Sequence, residues 1–149
     1  MRACNLTGLL LVPVVAGLDV GRYRWSSLGV YHALFGLVLM AASSILINWA
    51  MIENPYFEPT VRIQEDRGHR VVSTGPYGIV RHPGYLSGIL WMLAVPLIVG
   101  SLYAFVPVAL YSALMILRTH LEDRTLHEEL VGYTDYAEKV RYKLFPGVW

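Results

Sequence analysis

The sequence predicts an all-α integral membrane protein of about four transmembrane helices, and three observations carry that prediction. Apolar residues make up 55% of the 149 and charged residues only 15%, against about a quarter charged in ordinary soluble domains. Two runs, Leu28 to Ile52 and Leu86 to Leu117, contain no Asp, Glu, Lys or Arg. Charge concentrates between and after these runs, as expected where a chain leaves lipid. At this length one domain is expected. It divides into N-terminal membrane helices (6–18 and 28–52), a connector and loop (53–85), a helical hairpin (86–117), and a C-terminal helix and tail (118–149).

Leu6 to Leu18 is uncharged but short of the roughly 20 residues that cross a bilayer core, and Pro13 interrupts it. A cleaved signal peptide competes with a retained helix. Gly17-Leu18-Asp19 followed by Arg22 and Arg24 is a poor cleavage site, so a retained helix is expected. After a polar turn, Asp19 to Ser27, the run Leu28 to Ile52 measures about 37 Å as a helix against about 30 Å of hydrocarbon. It is the clearest transmembrane segment. His32, Ser43, Ser44 and Asn48 in it read as interhelical hydrogen-bonding groups, and Trp49 as an interfacial anchor.

Glu53 to Arg81 mixes four Arg with Glu53, Glu58, Glu65 and Asp66, so it belongs in water or folded over a site. Val61 to Val72 reads as extended backbone. Leu86 to Leu117 suits two short or tilted helices bending near Gly100-Ser101, with Pro96 and Pro107 kinking the arms. Arg118 to Leu130 continues as a helix that leaves the membrane, Gly132-Tyr133 ends it, and the aromatic, basic tail, Tyr136 to Trp149, packs on the interface or back over the connector. The connector and the C-terminal segment carry nine Lys or Arg and the 19–27 turn two, which puts the former on the cytoplasmic side.

A net charge of +1 offers no basic surface for nucleic acid, and no nucleic-acid motif is present. Cys4 stands alone and the five His lack close ligand spacing, so no metal is expected, although His120 and His127 can share a helix face.

The stretch Gly75 to Gly88 holds four Gly and two Pro beside Arg81, His82, Tyr77 and Tyr85. That composition suits a loop whose backbone approaches a ligand closely, or an ordinary interfacial loop with Arg81 and Tyr85 as headgroup anchors. Arg118 and Glu122, four apart on a helix, face the same way. A hairpin returns them beside Arg81-His82-Pro83, and this convergence of charge at a membrane boundary suggests a site.

Gly75-Pro76-Tyr77, Arg81-His82-Pro83-Gly84-Tyr85, a helical hairpin, Arg118-x-x-x-Glu122-Asp123-x-x-Leu126 and a Tyr-rich tail closing on Pro146-Gly147 occur in that order. This arrangement resembles the isoprenylcysteine carboxyl methyltransferase family and the wider group of membrane phospholipid methyltransferases, over about Gln64 to Trp149. The resemblance implies a membrane methyltransferase that uses S-adenosyl-L-methionine. It implies cofactor contacts at His69, Arg70, Val71, Val72, Tyr77, His82, Pro83, Gly84, Tyr85 and Glu122, with Gln64 upstream, and a substrate contact at Arg118. The family often has two adjacent Glu where this chain has Glu122-Asp123. Glu122 is taken as the equivalent and Asp123 as its support.

Such a donor needs a carboxylate for its ammonium, donors for its carboxylate, and aromatic or apolar walls for adenine and sulfonium. Glu122, the loop amides with His82, and Tyr77 with Tyr85 are of the right types. No Gly-x-Gly-x-x-Gly follows a strand, which excludes a soluble Rossmann methyltransferase. A carboxylate acceptor is already ionised and needs orientation, desolvation and a cation, for which Arg118 suits. Arg118 and Glu122 are therefore the expected catalytic pair, acting by carboxyl O-methylation of a lipophilic or lipidated, isoprenylcysteine-like acceptor reached among membrane lipids. An amine acceptor, as in phospholipid N-methylation, must lose a proton and would favour a carboxylate base. A nicotinamide-dependent sterol-reductase relative and a non-catalytic membrane scaffold are the further alternatives.

Overall fold

A computed structural model describes residues 2–58 and 68–149. Its helices are α1 (Arg2–Ala16), α2 (Val30–Glu53), α3 (Pro83–Val99), α4 (Phe105–Glu129) and α5 (Tyr133–Lys139), with a π-helical turn at Gly17–Tyr23 and a 3-10 turn at Gly75–Gly78. No strand occurs among the described residues. The helices group into two compact units, Met1–Ser44 with Ser87–Met115 and Ile45–Leu86 with Ile116–Trp149.

The first unit is built on close helix approach. Val12 and Ala16 of α1 pack on Ala104 and on Val108 of α4, with Met92, Leu93 and Val95 of α3 against them. A Cβ on Gly36 would sit 2.8 Å from Ile98 and 2.9 Å from Leu97, so only glycine lets α2 lie this close to α3. Ser43 donates to the Ser87 carbonyl at 2.8 Å, the interhelical role expected of it. Pro96 has no N–H to give its helix, and its own carbonyl receives the amides of both Gly100 and Ser101 at 2.9 Å. That cap, with Gly100 at φ +87°, turns the chain where the bend was expected.

The second unit holds the end of α2, the start of α3, the second half of α4, α5 and the tail. Leu130, Tyr133 and Tyr136 form its apolar centre, with Val71, Leu126, Ala137 and Val140 around them. Gly132, at φ +84°, breaks α4 from α5. The tail returns along the loop, the amides of Arg81 and His82 donating to the carbonyls of Tyr142 and Lys143, each at 2.9 Å.

One expectation changes, the number of spans. Among the described residues α2 is the one helix long and apolar enough to cross a membrane, so the count of about four spans is not reached on that measure. α1 has 15 residues and α3 17, and α4 spends its second half on charged residues. Residues 69–72 form no strand, while 61–67 lie outside the described residues. The segment after Gly132 opens with helix α5, on which the sequence is silent.

Candidate functional site

His82 and Pro83 start α3: the His82 carbonyl receives the amides of Tyr85 and Leu86 at 3.1 and 3.2 Å, and proline occupies the first helical position, where a missing N–H costs nothing. Tyr85 follows in the first turn. Its hydroxyl accepts from Arg118 Nε at 2.8 Å and donates to Glu122 Oε2. The Arg118 guanidinium lies 5.1 Å from the centre of the Tyr85 ring, a cation–π geometry. On its other side the ring meets His82, centroids 5.8 Å apart and planes within 18°. His82 Nδ1 is 4.0 Å from Glu122 Oε1. Two motifs distant in sequence thus converge on one phenol. Burial pushes the Tyr85 hydroxyl well above the usual tyrosine range, and the Glu122 charge and hydrogen bond add to it against the opposing pull of Arg118.

Beneath this cluster Asp123 is buried. Arg81 grips it with two nitrogens, Nε to Oδ1 at 2.8 Å and Nη2 to Oδ2 at 3.1 Å. Tyr133 donates to Oδ1 at 2.9 Å, His82 Nε2 lies 3.3 Å from Oδ1, and Lys143 Nζ lies 3.2 Å from Oδ2. Burial alone would raise the Asp123 carboxyl. The hydrogen bonds from His82 and Arg81, with the Arg81 charge, outweigh it and hold the group well below the usual carboxylate range. The remaining Arg81 nitrogen donates to the carbonyls of Val140 at 2.8 Å and Arg141 at 3.1 Å. One ion pair therefore ties loop, α4 and tail together.

The other expected residues divide. Tyr77 is buried, its hydroxyl accepting from Asn54 at 3.1 Å and its carbonyl from Tyr136 at 2.7 Å. Its pKa is raised chiefly by burial, which the Asn54 hydrogen bond opposes and the Glu122 charge reinforces. Pro83 is buried. A Cβ on Gly84 would meet the Phe57 ring at 2.8 Å, and one on Gly75, at φ +56°, would meet Glu53 at 2.5 Å. The chain's own side chains therefore pack against these two glycines on the side that a Cβ would occupy. His69 stacks on Tyr56, centroids 4.5 Å apart, Arg70 is exposed and Val72 half-buried. Val71, half-buried, packs against the α5 cluster of Leu130, Tyr133 and Tyr136. Gln64 lies outside the described residues. A groove of about 320 Å³ lined by Gly78, Ile79, Lys139, Val140, Arg141, Tyr142 and Pro146 contains none of the expected residues. No group of three candidate metal ligands occurs among the described residues.

Sequence reasoning did not single out Tyr133, Lys143 or Asn54. Tyr133 is read from sequence only as part of the Gly132-Tyr133 helix end and Lys143 only as part of the basic tail, and no spacing rule links either to Asp123.

The sequence profile of the isoprenylcysteine carboxyl methyltransferase family matches residues 34–128, a stretch that includes Arg81 through Tyr85 and Arg118 through Asp123. The chain is 28% identical over 131 residues to the cobalt-zinc-cadmium resistance protein CzcN of Cupriavidus metallidurans, covering 85% of this chain and 56% of that protein. It is 25% identical over 114 residues to protein-S-isoprenylcysteine O-methyltransferase B of Arabidopsis thaliana, covering 71% and 55%. With a probable protein-S-isoprenylcysteine O-methyltransferase of Oryza sativa subsp. japonica it shares 23% identity over 113 residues, covering 70% and 56%. The chain spans a little over half the length of these curated relatives.

Proposed function

The chain belongs to the isoprenylcysteine carboxyl methyltransferase family, and on that premise we propose that it is an integral membrane methyltransferase using S-adenosyl-L-methionine, with a carboxylate on a lipophilic, isoprenylcysteine-like molecule as acceptor. The observation that carries the reading is the meeting of Arg118 and Glu122 on the Tyr85 hydroxyl beside His82. The side chain of Glu122 is 21% exposed and that of Asp123 4%, so of two adjacent carboxylates one can receive a ligand and the other holds the scaffold.

The donor set fits the cofactor. Glu122 would take its ammonium, while Tyr85 and Tyr77 provide aromatic surface and His82 a polar edge. When bound, the cofactor supplies a methyl group on a positively charged sulfur. An acceptor carboxylate, already ionised at neutral pH, would need no base from the protein. This chain then has three tasks: to orient the acceptor in line, to exclude water from it, and to hold a cation beside its charge. Arg118 fits the last. It stands one helical turn from Glu122, toward the apolar half of α4, from which a lipid-soluble acceptor would arrive. In this reading α1, α3 and the apolar half of α4 join α2 in the membrane as short or tilted helices, and the second unit faces the cytoplasm by its excess of Lys and Arg. The full activity would involve the whole length that the relatives have.

Calorimetry with S-adenosylhomocysteine and with NADPH on the purified chain tests the cofactor. Binding of the first alone is expected, and binding of NADPH alone would overturn the reading in favour of a reductase. Labelled methyl transfer to an N-acetylated S-prenylcysteine beside phosphatidylethanolamine tests the acceptor, with ester formation expected.

A further inference from the structure

The first unit carries a second feature that the methyl-transfer reading does not use. Asp19, in the π-helical turn after α1, is wholly buried. Its carboxylate accepts from the Ser26 amide at 3.0 Å and hydroxyl, the Ser101 hydroxyl at 2.5 Å and the Tyr103 amide at 3.3 Å. Its carbonyl takes the Trp25 amide at 3.1 Å. Among the described residues Arg24 is the one non-glycine at positive φ, +55°. These bonds fasten the turn to the 101–103 bend that joins α3 to α4.

The fastening presents side chains that the unit itself does not cover. Tyr23 stacks on Trp25, centroids 4.5 Å apart and planes within 8°, and Trp25 meets Tyr103 at 5.3 Å. The three rings remain 53%, 60% and 52% exposed, and Leu102 beside them 54%. Arg22 lies 6.0 Å from the Tyr23 ring centre, and Arg22 and Arg24 are both exposed. The only acidic residue of the turn is Asp19, turned inward and saturated with donors, so the outer face carries cations alone. The turn also stands just before Val30, where the helix suited to crossing a membrane begins.

We propose that Tyr23, Trp25 and Tyr103, with Arg22 and Arg24, form an anchoring surface for anionic phospholipid headgroups at the membrane boundary. Amphipathic rings settle at headgroup depth, and the two guanidinium groups meet lipid phosphate. A soluble acidic partner would match the charge but not three exposed rings at the end of a membrane helix. The inference rests on the membrane reading of α2, and the test separates the two.

A variant retaining Trp25 alone (Trp49→Phe, Trp91→Phe, Trp149→Phe) is reconstituted into nanodiscs carrying nitroxides at the headgroup or deep in the acyl chain. Stronger quenching by the headgroup label is expected; no quenching by either label, or stronger quenching by the deep one, overturns the proposal. A second variant moves the fluorophore into α2 (Phe35→Trp with Trp25→Phe). Deep quenching there shows that α2 is inserted whatever Trp25 does, and its absence overturns the membrane premise itself. Lipid retention then reads the charge. Preference for phosphatidylglycerol over phosphatidylcholine is expected to fall roughly fivefold per arginine in Arg22→Gln and Arg24→Gln. An unchanged preference in the double variant, or its abolition by millimolar inorganic phosphate, overturns the headgroup assignment.

Discussion

Each unit is organised around a buried aspartate, and the two are satisfied by opposite means. Asp19 is met by hydroxyls and backbone amides, Asp123 by a bidentate arginine, a histidine, a lysine and a tyrosine. In both, burial raises the carboxyl pKa and the partners more than reverse it. Neutral donors suffice to fasten a turn to a bend. Fixing three chain segments through one group takes charge, and it leaves a buried cation behind if the carboxylate is lost. The contrast repeats between neighbours in sequence: Asp123 is consumed by the scaffold, and Glu122, about 100° around the helix, points to Tyr85 and the more open side.

The sharpest way to break the comparison is Asp123→Ala. Arg81 would stay buried without its partner, which costs about 3–5 kcal/mol. Denaturant unfolding in detergent should show the second unit lost or strongly destabilised, with cofactor binding lost alongside. A stable Asp123→Ala protein would mean that the ion pair is dispensable.

Glu122→Ala should do the reverse. Folding should be nearly unaffected, while affinity for S-adenosylhomocysteine falls about 5- to 150-fold, the equivalent of roughly 1–3 kcal/mol for an ammonium left unpaired. Calorimetry beside unfolding separates the neighbours, and equal effects of the two substitutions on both readouts would erase the distinction drawn between them.

The pH dependence follows the same division. The folded-state pKa of Asp123 is depressed, so its stabilisation is present above the unfolded value of about 3.9 and is lost as pH falls below it. Tyr85, Tyr133 and Tyr136 are raised by burial. Their contribution is present below about 10 and is lost as pH rises beyond it. Stability should therefore be flat from pH 5 to 9 on these groups, with acid and alkaline limbs outside; in Tyr133→Phe the alkaline limb should weaken.

The smallest effect is expected at Ser101→Ala, which removes one of several neutral donors from Asp19. A slight fall in the unfolding midpoint, with unchanged cofactor binding, is the expected outcome of thermal scans and calorimetry.

Much of this was legible in the sequence because it was written in long patterns. α2 follows from an uncharged run, the bend at Gly100 from the length of the second run, and the approach of Arg118 and Glu122 to His82 and Tyr85 from hairpin geometry. What was not legible depends on contacts without periodicity. The grip of Arg81 on the Val140 and Arg141 carbonyls uses backbone groups that every residue carries. α5, at seven residues, is too short for a helical repeat to stand out. Composition cannot say what lies beside a glycine, and the side chains beside Gly75 and Gly84, Glu53 and Phe57, come from well upstream in the chain.

The most direct test of the proposed division of labour is donor binding measured beside methyl transfer for the wild type, Arg118→Ala, Arg118→Lys and Glu122→Ala. The account predicts that Arg118→Ala keeps affinity for S-adenosylhomocysteine nearly intact while turnover falls steeply. Arg118→Lys should recover part of the rate, keeping the charge without the guanidinium's geometry, and Glu122→Ala should lose the donor. If Arg118→Ala abolishes donor binding, or leaves turnover untouched, the assignment of this arginine to the acceptor carboxylate is contradicted.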